Sequence, residues 1–428
     1  RRVLFRSPCK GDNHLINPFL AQLGFALTDS QTAVLREIRA DLARGTPMRR
    51  LLQGDVGAGK TVVAACTALM ALESGHNVAL MAPTEILAEQ HWQNFTRWLT
   101  PLGVQVEFRT GSRKLAANSQ LSTLNSQLFI GTHALVEDAF TVERLGLVII
   151  DEQHKFGVAQ RERLLRKGHY PHLLVMTATP IPRTLGLTIY GDLDASVIAS
   201  PPPGRGVIKT FVRGPEKLPK VWAFVRERLA EGRQAYVVYP RVEENDLKTG
   251  TKAVLAEFEK LAKELAPHRV GLLHGRLSAE EKDAVMAGFR ANELRVLLAT
   301  SVIEVGVDVP NATVMVIENA EHFGLAQLHQ LRGRIGRGAH DSWCVLVAAK
   351  LTDDARERLK VLEETTDGFA IAEADLRLRG PGELLGQAQS GAPQFKFADL
   401  TRDLELAKLA RDFVAGQPKV ARPASPPA

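Results

Sequence analysis

Short apolar runs punctuate this chain, and each ends in small or polar residues. Leu51-Leu52-Gln53, Val78 to Met81, Val104 to Phe108, Leu128 to Ile130, Leu147 to Ile150 and Leu173 to Met176 are too short for helices and read as buried strands. Between them run segments of helical period. Thr32 to Ala43 follows a cap at Thr28 or Asp29, Thr61 to Glu73 meets a stop at Ser74-Gly75, and Glu85 to Trp98 alternates with the same period. Strand, polar exit and helix in repetition predict a parallel α/β sheet covered on both faces. Ligands of such sheets bind at the carboxyl ends of the strands, so the polar exits are expected to converge.

The pattern breaks at Pro201-Pro202-Pro203-Gly204-Arg205-Gly206, where a linker over 201–210 is expected. It then restarts. Ala235 to Tyr239, Val270 to Leu273, Val296 to Leu298, Val314 to Ile317 and Trp343 to Val347 read as a second sheet, and Ser278 caps a helix through Phe289. From Leu351 the period turns helical, and Arg379-Gly380-Pro381-Gly382 interrupts it. The predicted organisation is an unstructured or truncated remnant over 1–24, α/β domains over 25–200 and 211–350, a helical region over 351–416 and a disordered tail over 417–428.

Composition narrows the class. The 428 residues, 45% of them hydrophobic, suffice for two or three cores. The net charge of +6 suits a nucleic-acid partner without specifying one. Cys9, Cys66 and Cys344 lie too far apart in sequence for a metal or disulfide framework, which points to a reducing cytoplasm. No apolar run approaches the roughly 20 residues of a membrane span. The chain starts without Met and reads as a fragment or a processed chain.

Gly54-Asp55-Val56-Gly57-Ala58-Gly59-Lys60-Thr61 carries the main chemistry. It fills the G-x-x-x-x-G-K-[ST] pattern between a strand and a helix, the setting that a phosphate loop requires. The glycines let backbone N–H groups turn inward, Lys60 can reach the β- and γ-phosphates, and the Thr61 hydroxyl can hold Mg²⁺. Asp151 and Glu152 follow an uncharged strand. One carboxylate can hold the metal and its neighbour can polarise water. Thr177-Ala178-Thr179 fits an ordinary strand exit as well as a sensor of hydrolysis. Gln330-Leu331-Arg332-Gly333-Arg334-Ile335-Gly336-Arg337 sets three arginines among glycines, poorly suited to a core and well suited to a γ-phosphate. If the arginines and the loop touch one nucleotide, hydrolysis lets two domains part, as in a motor.

Thr84, Thr110-Gly111-Ser112, Thr132-His133, His274-Gly275 and Thr300-Ser301 are small polar groups at strand ends. Singly each is a cap or turn; together they can cradle a sugar-phosphate backbone. With aromatic content at 6%, no stacking platform is evident, and sequence-independent binding is expected.

In order and spacing these motifs resemble those of superfamily-two helicases and translocases. Asp151-Glu152-Gln153-His154-Lys155-Phe156-Gly157-Val158, Phe323 to Arg334, Asp367-Gly368-Phe369 and Arg379 to Gly386 are similar to the RecG family within it. The resemblance runs from about Phe25 to near Gly416. It implies two RecA-like domains and ATP-dependent translocation on double-stranded DNA at branches, in recombination and repair; a monomer is expected. It also implies that Gln31 contacts adenine and that Gly306 and Asp308 contact the nucleotide. Arg334 and Arg337 would be arginine fingers. The segment Asp367 to Gly391 would couple ATP state to DNA movement, with Arg379 and Gln389 as its candidates. The family's N-terminal wedge domain has no counterpart in the few residues before Phe25, and Lys155 stands where Arg is usual. The rival readings are a transcription-repair coupling translocase, disfavoured by Gln153, His329 and Pro381, and an ATP-gated DNA clamp without turnover, disfavoured by Lys60, Glu152, Arg334 and Arg337.

Overall fold

The structure, a computed structural model, describes residues 8–111, 113–117, 127–138, 140–152, 158–167, 170–178, 193–199, 204–240, 247–300, 309–379, 409 and 413. Two compact units divide the chain between Pro201 and Pro202, and the second runs to Leu378.

In the first unit, strands β1 (Arg49–Gly54), β2 (Asn77–Met81), β3 (Gln105–Arg109), β4 (Lys114–Ala117), β5 (Gln127–Gly131), β6 (Leu145–Ile150), β7 (His172–Thr177) and β8 (Asp194–Ile198) form one sheet. Their spatial order is β4-β3-β5-β2-β6-β7-β1-β8, and every pairing is parallel except β3 with β4. The inner strands carry continuous apolar sequence because both faces are covered. Leu52, Leu80, Ile149 and Leu174 point into one core, while Leu51, Met81, Ile150 and Val175 point into the other. Helices α1 (Ile16–Gln22), α2 (Asp29–Leu42), α3 (Lys60–Glu73), α4 (Glu85–Leu99) and α5 (Val158–Lys167) complete the unit among the described residues.

Residues 8–24 depart from the expectation of an unstructured remnant. Cys9, Leu15, Ile16 and Phe19 are buried in the first core. The Glu73 carboxylate accepts the backbone N–H groups of Asp12, Asn13, Leu15 and Ile16 at 2.7–3.1 Å, satisfying the free donors at the start of α1. The apolar contacts are few and close together, so no extended period announces them.

The second unit is a six-stranded parallel sheet in the order β11-β12-β10-β13-β14-β9. Its strands are β9 (Ile208–Arg213), β10 (Gln234–Val238), β11 (Val270–Leu273), β12 (Val296–Ala299), β13 (Ala312–Ile317) and β14 (Ser342–Val347). Residues 208–210, expected as linker, belong to β9, which pairs along β14 from Ile208 to Arg213. Helices α6 (Leu218–Ala230), α7 (Leu247–Glu264), α8 (Ala279–Arg290), α9 (Leu325–Arg332), α10 (Asp353–Glu364) and α11 (Gly368–Arg379) follow in chain order. The helix α10 packs on β9 and α9, so the stretch just after 350 continues the second unit rather than forming a region of its own.

Candidate nucleotide and nucleic-acid site

The phosphate loop follows β1 as its sequence requires. Gly59 caps α3 with φ +84°, a left-handed conformation that favours glycine, and a Cβ there would lie 2.2 Å from Nε2 of Gln31. Gln31 is buried. Its Oε1 accepts the Thr28 N–H in a capping box at the start of α2, and its Nε2 donates to the Ala58 carbonyl at 2.9 Å. The residue that the resemblance assigns to adenine also braces the loop. Lys60 reaches back across the loop, donating from Nζ to the carbonyls of Gly54 at 2.8 Å and Asp55 at 3.0 Å. Thr61 lies in the first turn of α3.

Sheet register brings the acidic pair to the same edge. Gln53 of β1 pairs with Thr177 of β7, and Ile150 of β6 pairs with Val175 of β7. Asp151 is buried, and its Oδ2 lies 2.8 Å from Nε2 of His91 on α4, while Oδ1 accepts the Glu152 N–H at 3.1 Å. Burial by itself pushes the Asp151 carboxyl up. The His91 hydrogen bond and charge, the Lys60 charge and the Glu152 N–H outweigh it and hold the carboxyl below the usual carboxylate range. Asp151 is thus an ionised hard-oxygen donor within the field of the loop lysine. Like the Thr61 hydroxyl, it is an oxygen donor of the hard kind that Mg²⁺ takes. Glu152 adopts φ +49°, which a non-glycine residue rarely holds, and its Oε2 accepts the Ala178 N–H at 3.4 Å. The Thr177-Ala178-Thr179 stretch therefore touches the acidic pair at Ala178; Thr179 lies outside the described residues, as do Gln153 and His154.

The remaining polar exits of the first unit gather on the other half of the same edge. Thr84, Thr132 and Thr110 end β2, β5 and β3, three neighbours in the sheet. Thr84 caps α4 by accepting the Leu87 N–H, Thr110 accepts the Arg113 N–H, and the backbone of Thr132 donates to the Arg109 carbonyl. A Cβ on Gly111 would stand 3.7 Å from Nε2 of His133, so those two exits adjoin. His91 was not singled out in the sequence. It sits on α4, which Thr84 caps, yet bonds Asp151, the residue after β6. The signal was its place two turns into that helix, on the buried face with Leu87, Ala88 and Phe95.

In the second unit His274 and Thr300 end the adjacent strands β11 and β12. Burial, together with the charges of Arg276 and Lys282, pushes the His274 pKa below the usual histidine range. Gln330 and Arg334 are buried, and Arg337 is half-buried with Nε donating to the Gly333 carbonyl at 3.1 Å. Gly336 has φ +70°, and a Cβ there would meet Ile208 of β9 at 2.5 Å. The arginines are not alike. Arg332, expected to be unsuited to a core, is 2% exposed. It donates to the carbonyls of Leu362 at 2.9 Å and Thr365 at 2.8 Å, beside the carboxyl end of α10. Those carbonyls and the negative end of the helix dipole offset its burial. Arg379 is the last residue of α11; Gly306, Asp308 and Gln389 lie outside the described residues.

Three family models match in sequence order: DEAD/DEAH box helicase over residues 28–187, helicase conserved C-terminal domain over 216–339, and ATP-dependent DNA helicase RecG, domain 3, C-terminal, over 365–422. The ATP-dependent DNA helicase RecG of Synechocystis is 53% identical over 93% of this chain and 48% of its own length. That of Escherichia coli K12 is 49% identical over 97% of this chain and 62% of its own length. A solved structure of RecG bound to a three-way DNA junction is 43% identical with a TM-score of 0.75, covering 94% of this chain and 53% of the other. The chain thus spans about half to three-fifths of the length of these relatives. The two parallel-sheet units are RecA-like, and the chain belongs to the RecG family of superfamily-two helicases.

Proposed function

We propose that this chain is the motor of an ATP-dependent, double-stranded DNA translocase acting on branched DNA, in fork regression and Holliday junction migration. The observation that supports the reading is the sheet order that sets the ends of β6 and β1, with the acidic pair and the phosphate loop, on either side of β7, together with the likeness to RecG on a three-way junction. Lys60 exchanges its loop carbonyls for the phosphates of ATP. Thr61 and Asp151 would hold Mg²⁺, which would neutralise phosphate charge. Glu152 orients the attacking water and, through the Ala178 N–H, passes its position to the end of β7. Gln31 keeps the loop in shape and, by the family pattern, contacts adenine, and Gly306 and Asp308 contribute to nucleotide binding by the same pattern. Gln330, Arg334 and Arg337 are the second unit's contribution to catalysis, the guanidinium groups stabilising charge on the γ-phosphate.

Thr177 and Thr179 sense hydrolysis and pass the signal on, Arg379 and Gln389 couple it to movement, and the strand-end groups Thr84, Thr110, Gly111, Thr132, His133, His274 and Thr300 receive the DNA backbone. Because these are hydroxyls, backbone N–H groups and imidazoles rather than base-reading pairs, binding is independent of sequence. Phosphate release measured with and without DNA tests the reading. Lys60→Ala and Arg337→Ala should each lose DNA-stimulated turnover. Wild-type rates in Arg337→Ala would remove the second unit from catalysis, and no release above background from the folded wild-type chain would leave only a clamp.

A further inference from the structure

The carboxyl edge of the first sheet has two halves. The ends of β6, β7 and β1 carry the nucleotide candidates, and those of β3, β5 and β2 carry the DNA candidates. The contact between His91 and Asp151 joins them, because His91 rides on the helix that follows β2 and Asp151 ends β6. His91 is 4% exposed. Its Nδ1 has no hydrogen-bond partner among the described residues, so Asp151 is the partner that fixes its ring, with Phe95 edge-on at 6.3 Å. A buried imidazole held by one carboxylate oxygen fixes the rotation of that carboxylate, as an outer partner does for a metal ligand.

We propose that His91 is a positioning residue that orients the Asp151 carboxylate toward the metal of the bound nucleotide. The proposal rests on the reading of Asp151 as a Mg²⁺ ligand. The Glu152 N–H restrains Oδ1 only from the adjoining residue, whereas His91 restrains Oδ2 from a separate helix. Removing it leaves the carboxylate buried with one restraint fewer, and free to turn away from the metal.

The test is the Mg²⁺ dependence of binding of a fluorescent adenine nucleotide, which needs no turnover. Five chains are compared: wild type, His91→Gln, His91→Met, His91→Ala and Asp151→Asn. Gln and Met fill similar volumes, but only Gln offers an N–H near the Nε2 position. His91→Met should raise the half-saturating Mg²⁺ concentration about tenfold. His91→Gln should stay within about threefold of wild type, as rescue by a donor requires. His91→Ala, which removes the donor and opens space instead, should behave as His91→Met does. Equal Mg²⁺ dependence in His91→Met and wild type, with Asp151→Asn shifted, overturns the positioning role. A His91→Gln chain as impaired as His91→Met also overturns it, reducing His91 to packing. An unshifted Asp151→Asn chain instead removes the metal-ligand reading beneath it.

Discussion

The side-chain amide of Gln31 donates to the Ala58 carbonyl at 2.9 Å, tying the first turn of α2 to the phosphate loop. The same side chain closes the capping box with Thr28, so a single residue starts a helix and shapes the loop. Gln31→Ala should cost about 1 kcal/mol of stability through the cap and weaken nucleotide binding by roughly tenfold. Gly59→Ala should be worse, because it combines an unfavourable φ with a clash against Gln31. Thermal melts and nucleotide titrations on the two variants check both.

Arg332 and Arg337 should separate by experiment. Arg332→Ala leaves the Leu362 and Thr365 carbonyls without their buried donor and should destabilise the second unit by about 2–4 kcal/mol. Arg337→Ala should melt within about 0.5 kcal/mol of wild type, as expected for a less buried side chain, yet lose turnover. Denaturant unfolding beside phosphate release distinguishes the two. Equal destabilisation by both substitutions would contradict the assignment.

Stability should also depend on pH through Glu318, the residue after β13. Burial pushes its carboxyl up to about 7; Glu257 and Glu321 add to the rise and Lys260 opposes it. An ordinary carboxyl, as in the unfolded chain, titrates near 4.5, so between 4.5 and 7 the folded state binds more protons than the unfolded one. The stability associated with this group is therefore full below that window and lost as pH rises through it. Glu318→Gln mimics the protonated form. Its advantage over wild type should grow from pH 4.5 to 7 and then level, at on the order of 1–2 kcal/mol. Melting curves of both chains across that range check the sign.

The thiols should be inert in the folded chain. Cys9, Cys66 and Cys344 are buried, and burial pushes the Cys66 and Cys344 thiols up to about 12. A disulfide reagent should react slowly with native protein and rapidly with all three thiols in denaturant. Fast native labelling would contradict the packing.

The inner strands and the loop were legible because their chemistry is local. Leu147 to Ile150 is continuous apolar sequence that only a strand covered on both faces can bury, and Gly54 to Thr61 carries its geometry in its own residues. Strands β4, β8 and β9 were not legible, because all three lie at sheet edges, where exposed residues such as Asp194 and Lys209 break the apolar run. The fold around Glu73 and the pairing of His91 with Asp151 depend on contacts between residues about 60 positions apart. Arg332 was misjudged for a related reason: its acceptors are backbone carbonyls of a later helix, which no side-chain motif announces.

In the proposed function, ATP turnover moves this chain along duplex DNA. The most direct test is displacement of a third strand from a linear duplex, which reports travel without requiring strand separation. The wild-type chain should displace the third strand with ATP and Mg²⁺, and Lys60→Ala should not. DNA-stimulated phosphate release by the wild-type chain with the third strand left in place would contradict translocation.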